Sequence, residues 1–285
     1  MATVEEALRQ GASLLEGAGI EQPRHEARLL LGHVMGLTRE RLLLCHRSEM
    51  DQPVLNHLIA LVRRRAAREP IAYLIGEREF WGLSFEVTRD TLIPRPDSET
   101  LIEAALQSAN RTGQERPRIL DFGTGSGCLL VSLLTEMPFA QGFGVDHSFA
   151  ALRIAQRNAM RHDVAARAHF LVGSWGEALA PPFDLIIANP PYVALGERAA
   201  MMPDVKNYEP SQALFAGARG DEAYSALAPD FCRLLSPAGR VFVEFGAGSA
   251  DRAAAIFQRV GLSECERRKD LAGIERCGIF QRVGT

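Results

Sequence analysis

Apolar residues recur at helical spacing through the first 70 or so positions. Leu8, Leu14 and Leu15 mark one amphipathic helix, Leu29, Leu30, Leu31, Val34 and Met35 a second, and Leu42, Leu43 and Leu44 behind a Thr38 cap a third. Asp51 followed by Pro53 predicts the start of a fourth helix, carrying Leu55, Leu58, Ile59 and Val62 and ended by Pro70. From Tyr73 to Thr91 the period changes to two: Trp81, Leu83, Phe85 and Val87 alternate with small or polar residues, as in a half-buried strand of a hairpin. A helix from about Asp97 to Ser108 and the polar stretch Asn110 to Arg116 then lead into an alternation of strands and helices. Strands are expected at Ile119-Leu120-Asp121, 142–146, 169–172, 183–188 and 240–244, and helices at 128–136, 148–162 and near 222–235.

Short apolar strands alternating with helices predict an α/β fold with a mostly parallel sheet covered on both faces. The last two strands, near 263–268 and 277–283, are expected to pair antiparallel. The expected organisation is a small helical domain over residues 1–72, which would contact a partner, a β-hairpin connector over 73–94, and a catalytic domain over 95–285.

Composition narrows the class. With 47% hydrophobic and 24% charged residues, the chain can bury a sizeable core. No apolar run is long enough for a membrane span, and Met1 to Glu6 resembles no secretory signal. Cys45, Cys128, Cys232, Cys265 and Cys277 are odd in number and never spaced as CxxC, so a reducing cytoplasm is expected, with neither disulfides nor a zinc site. The seven histidines lack metal-ligand spacing. A net charge of -3 gives no global attraction for nucleic acid, and the run Arg63-Arg64-Arg65 with Arg68 reads as a solvated helix face.

Two segments carry chemistry. Asp121-Phe122-Gly123-Thr124-Gly125-Ser126-Gly127 lies where a strand becomes a helix, the crevice position at which open α/β sheets bind ligands. Beyond it, Asp146 ends the next strand, where a carboxylate can accept hydrogen bonds from both hydroxyls of a ribose. The glycines read GxGxG rather than the dinucleotide GxGxxG, and Asp121 can neutralise an ammonium, so S-adenosyl-L-methionine fits better than NAD. The second segment, Asn189-Pro190-Pro191-Tyr192, follows the apolar strand 183–188. Its prolines fix φ and remove N–H donors, so the Asn189 side chain and the Pro190 carbonyl stand as rigid acceptors for both hydrogens of a planar NH2 group, with Tyr192 as a wall. An amide nitrogen is a weak nucleophile, and orienting it against a sulfonium methyl is the help it needs.

The chain resembles the class I S-adenosylmethionine-dependent methyltransferases with an Asn-Pro-Pro-Tyr motif, and within them the HemK/PrmC protein-glutamine methyltransferases. The likeness runs through Arg78-Glu79-Phe80-Trp81, Ile93-Pro94-Arg95-Pro96 with Glu99, the glycine loop, Asp146, Asn189 to Tyr192, Glu209-Pro210 with Ala213-Leu214, and Asp270 to Gly273 with Arg276. It implies a Rossmann-like fold and S-adenosyl-L-methionine held by Gly123 to Gly127, Asp146, Trp175 and Asn189. It also implies that Asn189 to Tyr192 hold the glutamine of the Gly-Gly-Gln motif of class I peptide chain release factors, which is methylated on its side-chain nitrogen. Two departures stand out: Ser174 replaces the usual acidic residue before Trp175, and Gly217-Ala218-Arg219-Gly220-Asp221 differs from the usual Asp-Gly-Leu form. Methylation of an exocyclic amino group on a nucleic-acid base poses the same chemical problem to the same motif and is the alternative. An NAD-dependent oxidoreductase fits less well, since Asn-Pro-Pro-Tyr supplies no acid or base for a hydroxyl proton.

Overall fold

The computed structural model describes residues 2–284, which form two compact units. One comprises the chain up to Glu77 together with Met202–Tyr208, and the other Arg78–Met201 together with Glu209 onward.

The first unit is helical: α1 Val4–Gly17, α2 Pro23–Met35, α3 Arg39–Leu44, α4 Gln52–Ala66 and α5 Ile71–Ile75. Its core contains Leu15, Leu30, Leu31, Leu58 and Val62, residues of the predicted apolar faces. Thr3 and Glu6 form a reciprocal capping box at the start of α1, and Thr38 caps α3 through the Arg41 N–H. Asp51 stands at the N-cap of α4 but its side chain makes no cap bond; Pro53, at the second helical position, lacks one of the N–H groups such a cap would bind. Nor does α4 reach Pro70. It stops at Ala66, Arg68 turns to φ 73°, and Pro70 begins α5, so Tyr73 is helical rather than part of an extended segment.

The second unit takes up the chain at Arg78, within the hairpin of β1 Glu77–Phe80 and β2 Leu83–Glu86. Trp81 and Gly82 join the strands at φ 53° and 69°, the paired positive values of a tight two-residue turn. The hairpin is therefore not a separate connector: Phe80 and Phe85 are buried in the same core as Leu101, Leu130 and Ile119, and Glu99 accepts the Trp81 N–H at 3.0 Å. A 3-10 turn over Pro96–Ser98 leads into α6 Glu99–Thr112, longer than its apolar pattern indicated. Then come β3 Arg118–Phe122, α7 Cys128–Glu136, β4 Gln141–Asp146, α8 Phe149–Arg161, β5 Ala168–Val172 and β6 Phe183–Ala188. After the short strand β7 Val193–Ala194 follow α9 Pro203–Tyr208, α10 Ser211–Leu214, β8 Phe215–Gly217, α11 Glu222–Leu234, β9 Leu235–Glu244, α12 Ala250–Gln258, β10 Leu262–Lys269 and β11 Glu275–Arg282.

The main sheet has seven strands in the order β10-β11-β9-β6-β3-β4-β5, and β11 alone runs against the others. From central β3 the chain proceeds to β4 and β5 on one side, then crosses to β6 and β9 on the other, so the carboxyl end of β3 is the topological switch point. The apolar run Leu185 to Ala188 of β6 reflects burial on both faces. Leu185 and Ile187 pack with Leu101 and Leu130, whereas Ile186 and Ala188 pack with Tyr224 and Phe231. Strand β9 begins at Leu235, five residues ahead of its predicted start, because an irregularity in its pairing with β6 takes up the Ser-Pro-Ala-Gly segment. The short elements β7, α9, α10 and β8 left no clear period in the sequence, whereas α12 was passed over although Ala250, Ala253, Ala254 and Phe257 recur at helical spacing and are buried.

Residues 202–208 leave the second unit's chain and join the helical one. Arg65, 6% exposed, pairs with Glu26 of α2 and, at 2.7 Å, with Asp204 of α9, while the Tyr208 hydroxyl donates to the Ala67 carbonyl at 2.8 Å. The arginine run is thus not uniformly a solvated face, since Arg64 pairs with Glu69 and Arg65 is buried. Replacing Arg65 by alanine leaves the half-buried carboxylates of Glu26 and Asp204 without their shared cation and is expected to destabilise the helical unit by about 3 kcal/mol. Urea denaturation followed by circular dichroism checks this; an unmoved transition would show that the ion pairs contribute nothing.

Candidate active site

The glycine loop leaves the carboxyl end of β3 and folds back on β4. Val145 accepts the N–H groups of Gly123 and Thr124 at 2.9 and 3.1 Å, and Gly127 N–H closes the turn on the Thr124 carbonyl at 2.7 Å. Gly123 and Gly125 have φ of 67° and 54°; nothing lies within 4 Å of where a Gly123 Cβ would be, so conformation rather than space requires glycine there.

Beneath the loop lies Asp121, 1% exposed. Its Oδ2 accepts the Thr124 hydroxyl at 2.7 Å, and its Oδ1 has no partner among the described residues. Burial, reinforced by the charge of Asp146 and opposed by the Thr124 hydrogen bond, pushes the Asp121 carboxyl up to about 7. A buried carboxylate oxygen without a donor, at the switch point of the sheet, suits a cationic ligand group.

Asp146, at the end of β4, accepts the Gly125 N–H on Oδ2 and the Ser148 N–H on Oδ1, both at 2.9 Å. It therefore ties the glycine loop to the start of α8, and each oxygen keeps a further acceptor site. A cavity of about 380 Å³ opens beside it, with Gly123, Gly125, Asp146, Ser174, Trp175, Asn189 and Pro191 in its lining. Trp175, at φ 53°, packs edge-on against Phe122. Of the other expected residues, Asp121, Thr124, Ser126, Gly127, Pro190 and Tyr192 lie outside that lining. Asp121 and Thr124 support the loop from below, and Gly127, at φ 79° and with room for a Cβ only at 3.1 Å from that of Ala155, sets the start of α7.

The lining also includes Arg89 to Leu92 and Gln212, which sequence reasoning passed over. Thr88 and Thr91 form the turn that carries the first group, and the signal available was that turn's Thr-Arg-Asp-Thr sequence. The second is brought in by the pairing of Arg95 with Glu209 at 2.6 Å, where Glu209 also accepts the Ile93 N–H.

Asn189 follows β6 directly. Its Nδ2 donates to the Ser98 hydroxyl at 3.1 Å, and Ser98 in turn donates to Glu244 Oε2. The Tyr192 hydroxyl donates to the other Glu244 oxygen at 3.3 Å. Glu244, buried at the end of β9, is pushed up to about 7 by burial, against the Ser98 hydrogen bond and the nearby Arg276 charge. Neither Ser98 nor Glu244 carries a local sequence signal of function; the alignment of β9 beside β6 brings Glu244 under the motif, and Ser98 reaches it from the turn ahead of α6. The segment 217–221 also acquires a role. Gly217 pairs with Ala194, Gly220 packs so closely on the Tyr192 carbonyl that a Cβ would come within 2.7 Å, and Glu222 accepts the N–H groups of Arg219, Gly220 and Asp221. This turn closes over the end of the Asn-Pro-Pro-Tyr segment. Among the described residues, no group of three or more His, Cys, Asp or Glu is placed to hold a metal ion.

A family model described as PrmC N-terminal domain matches residues 6–76, and one described as methyltransferase small domain matches residues 97–204. The chain is similar to the release factor glutamine methyltransferase of Rhodospirillum rubrum, with 45% identity over 96% of this chain and 84% of that protein. It is 42% identical to the protein of the same description from Bordetella pertussis, over 89% of this chain and 93% of that one. A third, from Cereibacter sphaeroides, is 41% identical over 95% of both. Among solved structures, the hMettl16 catalytic domain in complex with MAT2A 3'UTR hairpin 6 aligns with a TM-score of 0.57 at 15% identity, over 78% of this chain and 81% of that chain, a likeness of fold.

Proposed function

Because the chain belongs to the release factor glutamine methyltransferase family, we propose that it transfers the methyl group of S-adenosyl-L-methionine to the side-chain amide nitrogen of the glutamine in the Gly-Gly-Gln motif of class I peptide chain release factors. The observation that carries this reading is the Asn189 amide, whose NH2 end is tied to Ser98 so that Oδ1 is the end turned away from that bond, at a wall of the cavity that Asp146 and the glycine loop also line.

The bound cofactor supplies an electrophilic methyl on sulfur. Asp121 balances the ammonium of its methionine end, Asp146 accepts from the ribose hydroxyls, and Trp175 flanks the nucleoside. Asn189 Oδ1 and the Pro190 carbonyl accept the two hydrogens of the glutamine NH2, which orients the nitrogen lone pair and stabilises the positive charge it acquires. The methyl would pass from that sulfur, which would keep the bonding electrons, to the nitrogen held by these two acceptors, and one amide proton would leave to solvent. Tyr192, held by Glu244, walls the glutamine side chain. The helical unit, which holds no part of the cavity lining, supplies contacts to the release factor. The five unpaired cysteines fit a cytoplasmic enzyme.

Incubating the protein with radiolabelled cofactor and either a release factor or bulk RNA tests the reading. Label is expected on the release factor and lost when its motif glutamine is changed to glutamate. Label in RNA and never in protein would overturn it.

A pH effect follows from Asp121. Burial pushes its carboxyl up to about 7, and the charge of a bound cofactor's ammonium would favour the ionised form. Affinity should therefore rise as pH increases through about 7, and binding at neutral pH should expel a fraction of a proton. Calorimetry in two buffers of different ionisation enthalpy measures that proton, and Asp121→Asn should abolish the release.

A further inference from the structure

Glu244 and Ser98 are almost fully buried, at 1% and 3% exposure, and they join the two polar members of the Asn-Pro-Pro-Tyr segment. When Glu244 is ionised, the direction of each hydrogen bond in this chain is fixed by the one before it. An ionised carboxylate only accepts, so the single proton of the Ser98 hydroxyl is committed to Glu244. Ser98 is then left with lone pairs alone, and the end of the Asn189 amide that faces it must be the NH2 group. A side-chain amide is nearly symmetric in shape, and without such a partner its two orientations differ little. The wrong one would set an NH2 group against the NH2 group of the substrate glutamine.

We propose that Glu244, acting through Ser98, is a positioning residue that fixes which end of the Asn189 amide faces the substrate. The inference rests on the reading of Asn189 as an acceptor for the glutamine amide. Other polar groups around Glu244 leave the relay intact: Arg276 is engaged by Asp97 at 3.2 Å and Asp270 at 2.9 Å, Tyr192 donates to Oε1, and the Tyr224 hydroxyl is spent on the Glu244 backbone carbonyl.

The test is a double-mutant cycle between Ser98→Ala and Asn189→Ala, assayed by single-turnover methyl transfer to intact release factor. Saturating cofactor and about pH 8 keep Glu244 ionised. Ser98→Ala alone should lower the rate by about 10-fold, the scale of one lost hydrogen bond, with the calorimetric Kd for cofactor unchanged. In the Asn189→Ala background the same substitution should cost nothing more, because the group it orients is gone. Ser98→Cys, close in size and with a weak donor, should fall between Ser98→Ala and the unmodified protein and serves if the alanine variant fails to fold. Equal costs of Ser98→Ala with and without Asn189 would overturn the positioning role. Full activity of Asn189→Ala by itself would instead remove the acceptor reading on which the proposal stands.

Discussion

Asn189→Ala is expected to lower methyl transfer by about 10²–10³-fold while leaving most cofactor affinity in place, the loss that follows removal of one preorganised polar group acting on developing charge. The substitution leaves untouched the loop that Val145 anchors and the carboxylates of Asp121 and Asp146. It removes a side-chain acceptor whose orientation is set by the buried Ser98. On the proposed reading the Pro190 carbonyl would remain as the other acceptor, so the substrate amide would keep one hydrogen bond and lose its second fixed direction. The comparison that isolates this is single turnover at saturating cofactor, since steady-state rates would mix chemistry with product release. A variant with its full single-turnover rate would mean that the glutamine NH2 is oriented by something else in the cavity.

The second large effect belongs to Asp146. In the free protein its carboxylate accepts the Gly125 and Ser148 N–H groups, so Asp146→Ala takes away two loop anchors as well as the proposed ribose acceptor. Hydrogen bonds to a charged group are worth about 1.5–3 kcal/mol each, which places the expected rise in cofactor Kd at roughly 100-fold or more. Calorimetric titration measures it directly. A cofactor analogue lacking the ribose hydroxyls, titrated against the unmodified protein, should lose less, because it leaves the loop intact. The difference between the two losses is the contribution of loop ordering. If the variant and the unmodified protein bind the cofactor equally well, the carboxylate neither reaches the ribose nor holds the loop in its binding conformation.

Much of the architecture is determined by sequence because its signals are local. The strand Phe183–Ala188 and the helix Cys128–Glu136 lie at the expected residues, since an apolar run flanked by breakers needs no distant partner to announce itself. The glycine loop and Asp146 were legible for the same reason: a strand end, a turn that needs positive φ, and a carboxylate at the next strand end are all encoded within short stretches of chain. The Asn-Pro-Pro-Tyr segment declares its stiffness through proline alone.

What only the tertiary structure decided is polar and long-range. Ser98 and Glu244 are 146 positions apart in sequence, yet they meet under Asn189; a serine in a turn and a glutamate at a strand end look like many others until β9 is laid beside β6. Arg65 belongs to a run of arginines that reads as solvated, and its burial depends on Asp204, contributed by a segment from far along the chain. The hairpin β1–β2 was recognisable by its alternation, but its membership in the catalytic unit follows from where Phe80 and Phe85 find apolar neighbours. Hydrophobic period identifies an element because burial acts on one face of one segment. A hydrogen bond or an ion pair needs two specific atoms at one distance, and only the folded chain supplies the second.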